Sequence, residues 1–151
     1  MKLGYSTYAM KTVDPFEAVP RVRSIGYEAL EFCAQEGLPT APESMDSAAR
    51  RRLRAALQDQ GFPSPPMFCT LGVCARGSER PAAMDRVRSV CQLVRDLSLD
   101  DGYAFVTSTA GRGQPPWDSA RQEFVDGFSE VADIAAEFNV VIAVEAHVGQ
   151  E

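Results

Sequence analysis

Short apolar segments alternate with amphipathic segments along the whole chain, and this alternation most constrains the fold. The apolar segments predict strands at residues 2–7, 27–32, 66–70, 103–107 and 140–144. Strands and helices that alternate strictly, joined by right-handed crossovers, form a parallel sheet covered by helices. Because no linker or change in composition divides the 151 residues, the sequence predicts one α/β domain.

The first helix is predicted from its end signals. Asp14 is placed as the N-cap, Pro15 occupies the first helical position, and Glu17 completes a capping-box-like start. Gly26 is placed to end the helix. Pro20 conflicts with this prediction, because a proline inside a helix removes one backbone hydrogen bond and should kink or shorten the helix.

Three further helices are predicted in the same way. Asp46 or Ser47 caps the second helix and Gly61 ends it, while Asp118 or Ser119 caps the fourth. The apolar stripe of the third helix is Met84, Val87, Cys91, Val94 and Leu97. The stripe of the fourth is Phe124, Phe128, Val131, Ile134, Ala135 and Phe138.

Two architectures are compatible with five such units. A (β/α)₈ TIM barrel uses about 31 residues per strand-helix unit, and the strands here recur at about that interval. This chain would then cover the first five strands and four helices. The alternative is a complete doubly wound sheet of flavodoxin type, which predicts a phosphate-binding loop directly after the first strand. Residues 8–13 separate Ser6-Thr7 from the next helix, so the barrel is favoured.

Composition excludes some classes of partner and location. The net charge of -6 makes nucleic acid a poor partner, and no segment reaches the roughly 20 apolar residues that cross a bilayer. We therefore expect a soluble, cytoplasmic protein without membrane contact. The basic run at residues 50–54 is interpreted as a solvated helix face. The four cysteines are interpreted as small buried hydrophobes, although Cys33 and Cys69 could lie close together on neighbouring strands.

Polar groups at strand ends are the candidate functional residues. The fifth strand ends in Glu145-Ala146-His147, which contains the only histidine. An apolar strand that delivers a carboxylate to its carboxyl end is typical of ligand or catalytic sites in α/β folds. Glu31 lies near the end of the second strand, where it could bind a substrate hydroxyl or pair with an arginine.

Three segments resemble the sugar phosphate isomerase/epimerase family of xylose isomerase-like TIM barrels: residues 2–7, 25–32 and 140–147. The resemblance implies a metal-dependent enzyme that moves a proton or hydride next to a sugar carbonyl or hydroxyl. It implies that Glu145 is a catalytic residue and the first ligand of a divalent ion such as Mn, Mg, Co or Zn. His147 and Glu31 would bind a small-molecule sugar or polyol substrate.

The resemblance also implies that this chain carries only part of the site. The other metal ligands of such proteins come from strands six to eight, so we expect a truncated chain that is inactive by itself. Two copies would supply ten strands rather than eight, so a homo-oligomer, which the sequence allows, would not simply complete the barrel. The sugar, the metal and the choice between isomerase and epimerase stay open.

Several alternatives stay open beside this interpretation. Within the barrel fold, an inosose dehydratase-like lyase would use a similar site. Outside it, the chain could be a small doubly wound binding or signalling domain, or a non-catalytic half-barrel. The zinc endonucleases of the same superfamily need several histidines, and a single histidine disfavours that branch.

Weaker candidates lie in the loop after the fourth strand and at the final residue. Arg112, within Gly111-Arg112-Gly113, could hold a phosphate, but flexible loop glycines are the simpler interpretation. Trp117 is expected to pack rather than to stack on a sugar. Glu151 would lie on the substrate side in related epimerases.

Overall fold

The described strands form one parallel sheet whose spatial order follows the chain. The structure is a computed structural model and describes residues 2–109 and 117–145. Its strands are β1 (Gly4–Ser6), β2 (Ala29–Cys33), β3 (Met67–Phe68), β4 (Ala104–Thr109) and β5 (Val140–Glu145). Neighbours pair in the order β1-β2-β3-β4-β5, and each pair is parallel. A doubly wound sheet reverses its strand order at a switch point. The doubly wound alternative is therefore wrong, and the partial TIM barrel is confirmed.

The four predicted helices are present, and their packing order also follows the chain. They are α1 (Pro15–Ile25), α2 (Ser47–Asp59), α3 (Glu79–Leu97) and α4 (Trp117–Glu137). Two short 3-10 helices lie at Thr7–Met10 and Pro42–Ser44. Consecutive helices contact one another, α1 with α2, α2 with α3 and α3 with α4. This arrangement is the outer layer of a barrel wall.

The predicted ends of α1 are confirmed, and the predicted effect of Pro20 is not. Asp14 accepts a hydrogen bond from the backbone N–H of Phe16 at 2.7 Å, and Gly26 ends the helix with φ of 107°. The helix nevertheless runs through Pro20 to Ile25, so of the two predicted effects, a kink or a shorter helix, the shortening is wrong. Pro20 is exposed, so water can satisfy the carbonyl that the missing N–H leaves without a partner.

The other helices follow the predicted signals, except at the start of α4. Asp46 caps α2 by accepting a hydrogen bond from the N–H of Ala49 at 2.7 Å. Asp118 and Ser119 both lie inside α4, so neither is its cap. The five predicted core residues of α3 are all buried, namely Met84, Val87, Cys91, Val94 and Leu97.

The core lies between the helices and one face of the sheet. Side chains alternate between the faces of a strand. On β4, Val106 faces the helices and is fully buried, whereas Phe105 is 48% exposed. Val141, which pairs with Phe105, is 37% exposed. We call this second side of the sheet the uncovered face, because the four helices α1 to α4 pack on the other side. By the strand register, the uncovered face carries side chains from all five strands, among them Ser6, Glu31, Phe68, Phe105, Thr109, Val141 and Glu145.

The basic run on α2 does more than face solvent. Arg50 pairs with Asp96 of α3 at 2.8 Å and donates to the carbonyl of Met45 at 2.9 Å. Arg54 donates to the carbonyl of Ser98 at 2.7 Å. The predicted solvated face holds for Arg51, Arg52 and Arg54, which are exposed, but Arg50 is half-buried. The guanidinium groups of Arg50 and Arg54 also tie α2 to the end of α3.

The cysteines match their interpretation as buried small hydrophobes. Cys33, Cys69 and Cys91 are buried, Cys74 is partly exposed, and all four are free thiols. Burial raises the pKa of the Cys69 thiol to about 11 and that of Cys91 to about 12. Separately, none of the helices among residues 2–109 and 117–145 combines the length and apolar character needed to span a bilayer.

Candidate active site

The carboxyl ends of all five strands meet at one edge of the sheet, because the strands are parallel. This is the edge where α/β barrels carry their catalytic groups. It contains two of the carboxylates that the sequence singles out, Glu31 on β2 and Glu145 at the end of β5. The register places the two side chains on the uncovered face.

Glu31 is held by a hydroxyl of the neighbouring strand. Ser6 lies opposite Glu31 in the β1–β2 register, and its Oγ donates a hydrogen bond to Glu31 Oε1 at 2.6 Å. The same Oγ accepts from the backbone N–H of Tyr8 at 3.3 Å. Glu31 is half-buried. Its hydrogen-bond partner is thus a serine hydroxyl, not the arginine that the alternative interpretation of Glu31 expects.

Backbone groups at the end of β2 are satisfied by two threonines. Thr7 Oγ1 accepts a hydrogen bond from the N–H of Cys33 at 2.8 Å, and Thr40 Oγ1 donates to the carbonyl of Cys33 at 2.7 Å. Burial raises the pKa of the Cys33 thiol, while the Gln35 amide and the charge of Lys11 act in the opposite direction. Cys33 is therefore a neutral structural group at pH 7 rather than a nucleophile.

Side chains near the end of β3 contact residues that follow β1 and β2 through an aromatic pair and an amide hydrogen bond. The rings of Tyr8 and Phe68 meet edge to face, with centroids 5.5 Å apart. Gln35 Nε2 donates to Thr70 Oγ1 at 2.8 Å. Together with Ser6 and Glu31, these side chains form a polar and aromatic corner, which we call the β1–β3 corner.

Glu145 lies away from this corner. It pairs with Thr109 across β4 and β5, and it is exposed. Three strand spacings separate β5 from β2, which corresponds to roughly 14 Å along the sheet. The structure therefore places Glu31 and Glu145 on the same edge and face but does not bring them into contact. His147 lies outside the described residues, as do Arg112 and Glu151, and the same holds for the side chain of Trp117.

The metal that the sequence analysis expects can be tested against the side chains that are present. In the described part of the chain, no group of three or more His, Cys, Asp or Glu side chains is arranged to hold a metal ion. A divalent ion with oxygen or nitrogen ligands needs about four to six of them. Glu145 can supply one carboxylate, so residues 2–109 and 117–145 do not form a metal site by themselves.

An ion pair that the sequence analysis missed fixes the loop after β2. Arg86 of α3 donates from Nη2 to the carbonyl of Ala34 at 2.6 Å and pairs through Nη1 with Glu43. Glu43 Oε1 also accepts from the N–H of Gly37 at 3.0 Å. Desolvation acts to raise the pKa of Glu43, but the hydrogen bonds from Gly37 and Arg86 outweigh it and lower that pKa. Because Arg86 and Glu43 lie 43 residues apart, no local sequence signal points to the pair.

Comparison with known proteins identifies a family as well as a fold for this chain. Residues 19–151 match the family model described as xylose isomerase-like TIM barrel. No curated protein sequence matches the chain significantly.

Solved structures share the fold at low sequence identity. A D-psicose 3-epimerase from Clostridium cellulolyticum H10, solved with D-tagatose, is 16% identical, with a TM-score of 0.75 over 97% of this chain and 52% of that chain. The probable 3-DHS dehydratase AsbF of Bacillus anthracis is 14% identical, with a TM-score of 0.74 over 97% of this chain and 53% of that chain. A xylose isomerase domain protein from Planctomyces limnophilus is 11% identical, with a TM-score of 0.66, over 95% of this chain and 52% of that chain. The chain spans about half the length of each of these structures.

Proposed function

Because the chain belongs to the family of xylose isomerase-like TIM barrels, we propose that it serves a metal-dependent sugar or sugar-phosphate isomerase or epimerase. Residues 1–151 would form the N-terminal part of a single barrel domain. The observation that carries this proposal is the edge where five parallel strands, in barrel order, present Glu31 and Glu145 on one face.

The uncovered face supports the domain assignment. In a closed barrel the inward side chains of opposite strands pack against one another. Here Phe105 is 48% exposed and Val141 is 37% exposed on that face. Val144, on the helix side of β5, is 50% exposed, whereas Val106 on the same side of β4 is fully buried. Further strand-helix units would bury these apolar side chains, and we propose that the chain is inactive without them.

In the proposed enzyme each candidate residue has a defined task. Glu145 would be the first ligand of a divalent metal ion and would exchange the substrate proton. The described residues supply no complete set of ligands, so the remaining ones would come from units beyond β5. Glu31, oriented by the Ser6 hydroxyl, would accept a hydrogen bond from a hydroxyl of the sugar or polyol. His147 would contact the same substrate.

A dehydratase is the second candidate within this fold. One of the similar structures is named as a probable 3-DHS dehydratase, and two others as an epimerase and a xylose isomerase domain protein. Each of these names belongs to a protein less than 25% identical to this chain, so the reaction has to be measured. The corresponding assay compares loss of water from a polyol or inosose with exchange of the proton next to a ketose carbonyl.

The experiment that tests the proposal compares the 151-residue chain with the polypeptide extended through any reading frame that follows it. We expect the extended protein to bind a divalent metal and to interconvert ketoses, and the chain alone to do neither. In the extended protein, Glu145→Gln should abolish metal binding. Glu137→Gln is the matched control, because Glu137 is exposed at the end of α4, at the opposite edge of the sheet.

Two results would contradict the proposal. If the 151-residue chain is monomeric, unfolds cooperatively and is active alone, the proposal that it is inactive without further strand-helix units fails. If Glu145→Gln leaves metal content and activity unchanged, Glu145 is not part of the site. A non-catalytic half-barrel would be indicated by a chain that neither binds metal nor turns over substrate, with or without added units.

A further inference from the structure

Lysine is scarce in this chain, and one of its two lysines lies at the candidate active site. The sequence has 15 basic residues, of which only Lys2 and Lys11 are lysines. Lys11 directly follows the short 3-10 helix Thr7–Met10, which leaves the carboxyl end of β1. A lysine ammonium is a compact cation with three rotatable donors, which suits binding of anions from several directions.

The ammonium group of Lys11 rests on an aromatic ring. Its Nζ lies 3.8 Å from the centroid of the Tyr8 ring. The same ring contacts Phe68 edge to face, and Tyr8 is 49% exposed. An exposed cation–π contact stabilises by only about 0.5–1 kcal/mol, so it orients the ammonium group without neutralising its charge. No carboxylate among the described residues forms a salt bridge with Lys11.

Lys11 and Glu31 belong to the same corner of the sheet. The backbone N–H of Tyr8 donates to Ser6 Oγ, and Ser6 Oγ donates to Glu31 Oε1. Lys11 and Glu31 also act in opposite directions on the pKa of the Cys33 thiol, which both charges must approach to do so. A carboxylate that can accept a hydrogen bond from a substrate hydroxyl and a cation are thus both linked to Tyr8, Glu31 through the Ser6 hydroxyl and Lys11 through the Tyr8 ring.

We propose that Lys11, seated on Tyr8 beside Phe68, forms a subsite for an anionic substituent of the substrate. The substituent would be a carboxylate or a phosphate monoester, carried by a sugar or polyol whose hydroxyl is bound by Glu31. This inference rests on the proposed function and narrows its substrate to acidic sugars or polyols. The chain carries a net charge of -6, so its surface as a whole repels anions and a local cation is required to bind one.

Reductive ¹³C-methylation of the 151-residue chain tests the subsite, because it labels just Lys2, Lys11 and the terminal amine while keeping their charges. The labelled protein is titrated with D-gluconate, with D-glucose 6-phosphate and with neutral sorbitol, and the methyl signals are followed by NMR. We expect both anions to shift the Lys11 signal and to bind about fivefold more tightly than sorbitol, which is the range of a solvent-exposed ion pair.

Three variants separate the effect of the charge at position 11 from the effect of the protein's net charge. The Lys11 variants carry no methyl label at position 11, so affinities of all variants are measured from backbone amide shifts of the ¹⁵N-labelled chain. Lys11→Gln should remove the preference for the anions, Lys11→Arg should retain much of it, and Lys2→Gln should leave it unchanged. Both lysines are exposed, so the variants are expected to fold, which near-UV circular dichroism checks. A preference for gluconate alone, or for the phosphate alone, identifies the type of anion and supports the subsite.

The outcomes distinguish this inference from the proposed function. If sorbitol and gluconate bind equally and Lys11→Gln changes neither, the subsite is refuted while sugar binding stands. If no ligand shifts the Lys11 signal at any concentration, the subsite is also refuted, and the proposed function is still decided by the metal and activity measurements on the extended protein.

Discussion

At Gly127 the backbone of α4 lies close against the loop that follows β3. A Cβ added there would lie 2.1 Å from the carbonyl oxygen of Val73 and 2.9 Å from its carbonyl carbon. The atoms would have to separate by about 1.3 Å to reach an ordinary contact of 3.4 Å. Because the obstructing atom belongs to the backbone of a buried residue, no side-chain rotation can relieve the clash.

We predict that Gly127→Ala destabilises the protein although alanine is the better helix former. Overpacking costs about 1–3 kcal/mol, and the upper end applies to contact with a backbone carbonyl. The higher helix propensity of alanine offsets about 1 kcal/mol of this loss in the free energy of unfolding. The net loss is therefore about 2 kcal/mol, which lowers Tm by about 4–8 °C for a chain of this size.

Urea unfolding followed by circular dichroism measures this loss, and Ala132→Gly provides the matched control. Ala132 is exposed in the interior of the same helix, so its replacement by glycine should cost about 1 kcal/mol through propensity alone. Alanine should thus be favourable at position 132 and unfavourable at position 127. If Gly127→Ala is as stable as the parent protein, the close approach of α4 to Val73 is refuted.

Three further predictions concern the loop after β2, a helix cap and the thiols. The folded-state pKa of Glu43 is lowered by Gly37 and Arg86, so its contribution to stability is present above the unfolded-state pKa and is lost as pH falls through the folded one. Acid titration of unfolding should show a weaker pH dependence in Glu43→Gln, and an unchanged dependence would contradict the ion pair. Asp46→Ala should cost about 1 kcal/mol in urea unfolding, because it removes the N-cap of α2. At pH 8, Cys74 should react with a thiol reagent well before Cys91, whose pKa burial raises to about 12, and faster labelling of Cys91 would refute its burial.

Local signals in the sequence predict the helices well because they act over a few residues. The caps at Asp14 and Asp46 bond to backbone groups two and three residues away, and the structure contains both bonds. The apolar stripe of α3 is buried as its spacing predicts. The predicted cap of α4 fails because Asp118 and Ser119 already lie within the helix.

Contacts between distant residues could not be predicted. Arg50 belongs to a run of basic residues that looks like a solvated surface, yet it bonds Asp96, 46 residues along the chain. Arg86 anchors the loop after β2 through the carbonyl of Ala34, 52 residues away. Such bonds depend on how α2 and α3 pack, and a single sequence contains no periodicity that reports this packing.

The two carboxylates of the candidate site, Glu31 and Glu145, differ in how much of their surroundings the described residues provide. Glu31 has its hydroxyl donor Ser6 on the neighbouring strand, and the Tyr8–Phe68 ring pair with Lys11 seated on it belongs to the same first three strand-helix units. Glu145 has one neighbouring strand, an exposed side chain and no group of metal-binding side chains around it in the described part of the chain. A barrel site is assembled from the ends of several strands. One corner of the site can therefore have all its side chains in place while another corner still lacks those from further strands. Binding of a substrate hydroxyl and anion at the β1–β3 corner should therefore be measurable in this chain alone, whereas the role of Glu145 can be measured only when further strands contribute to its surroundings.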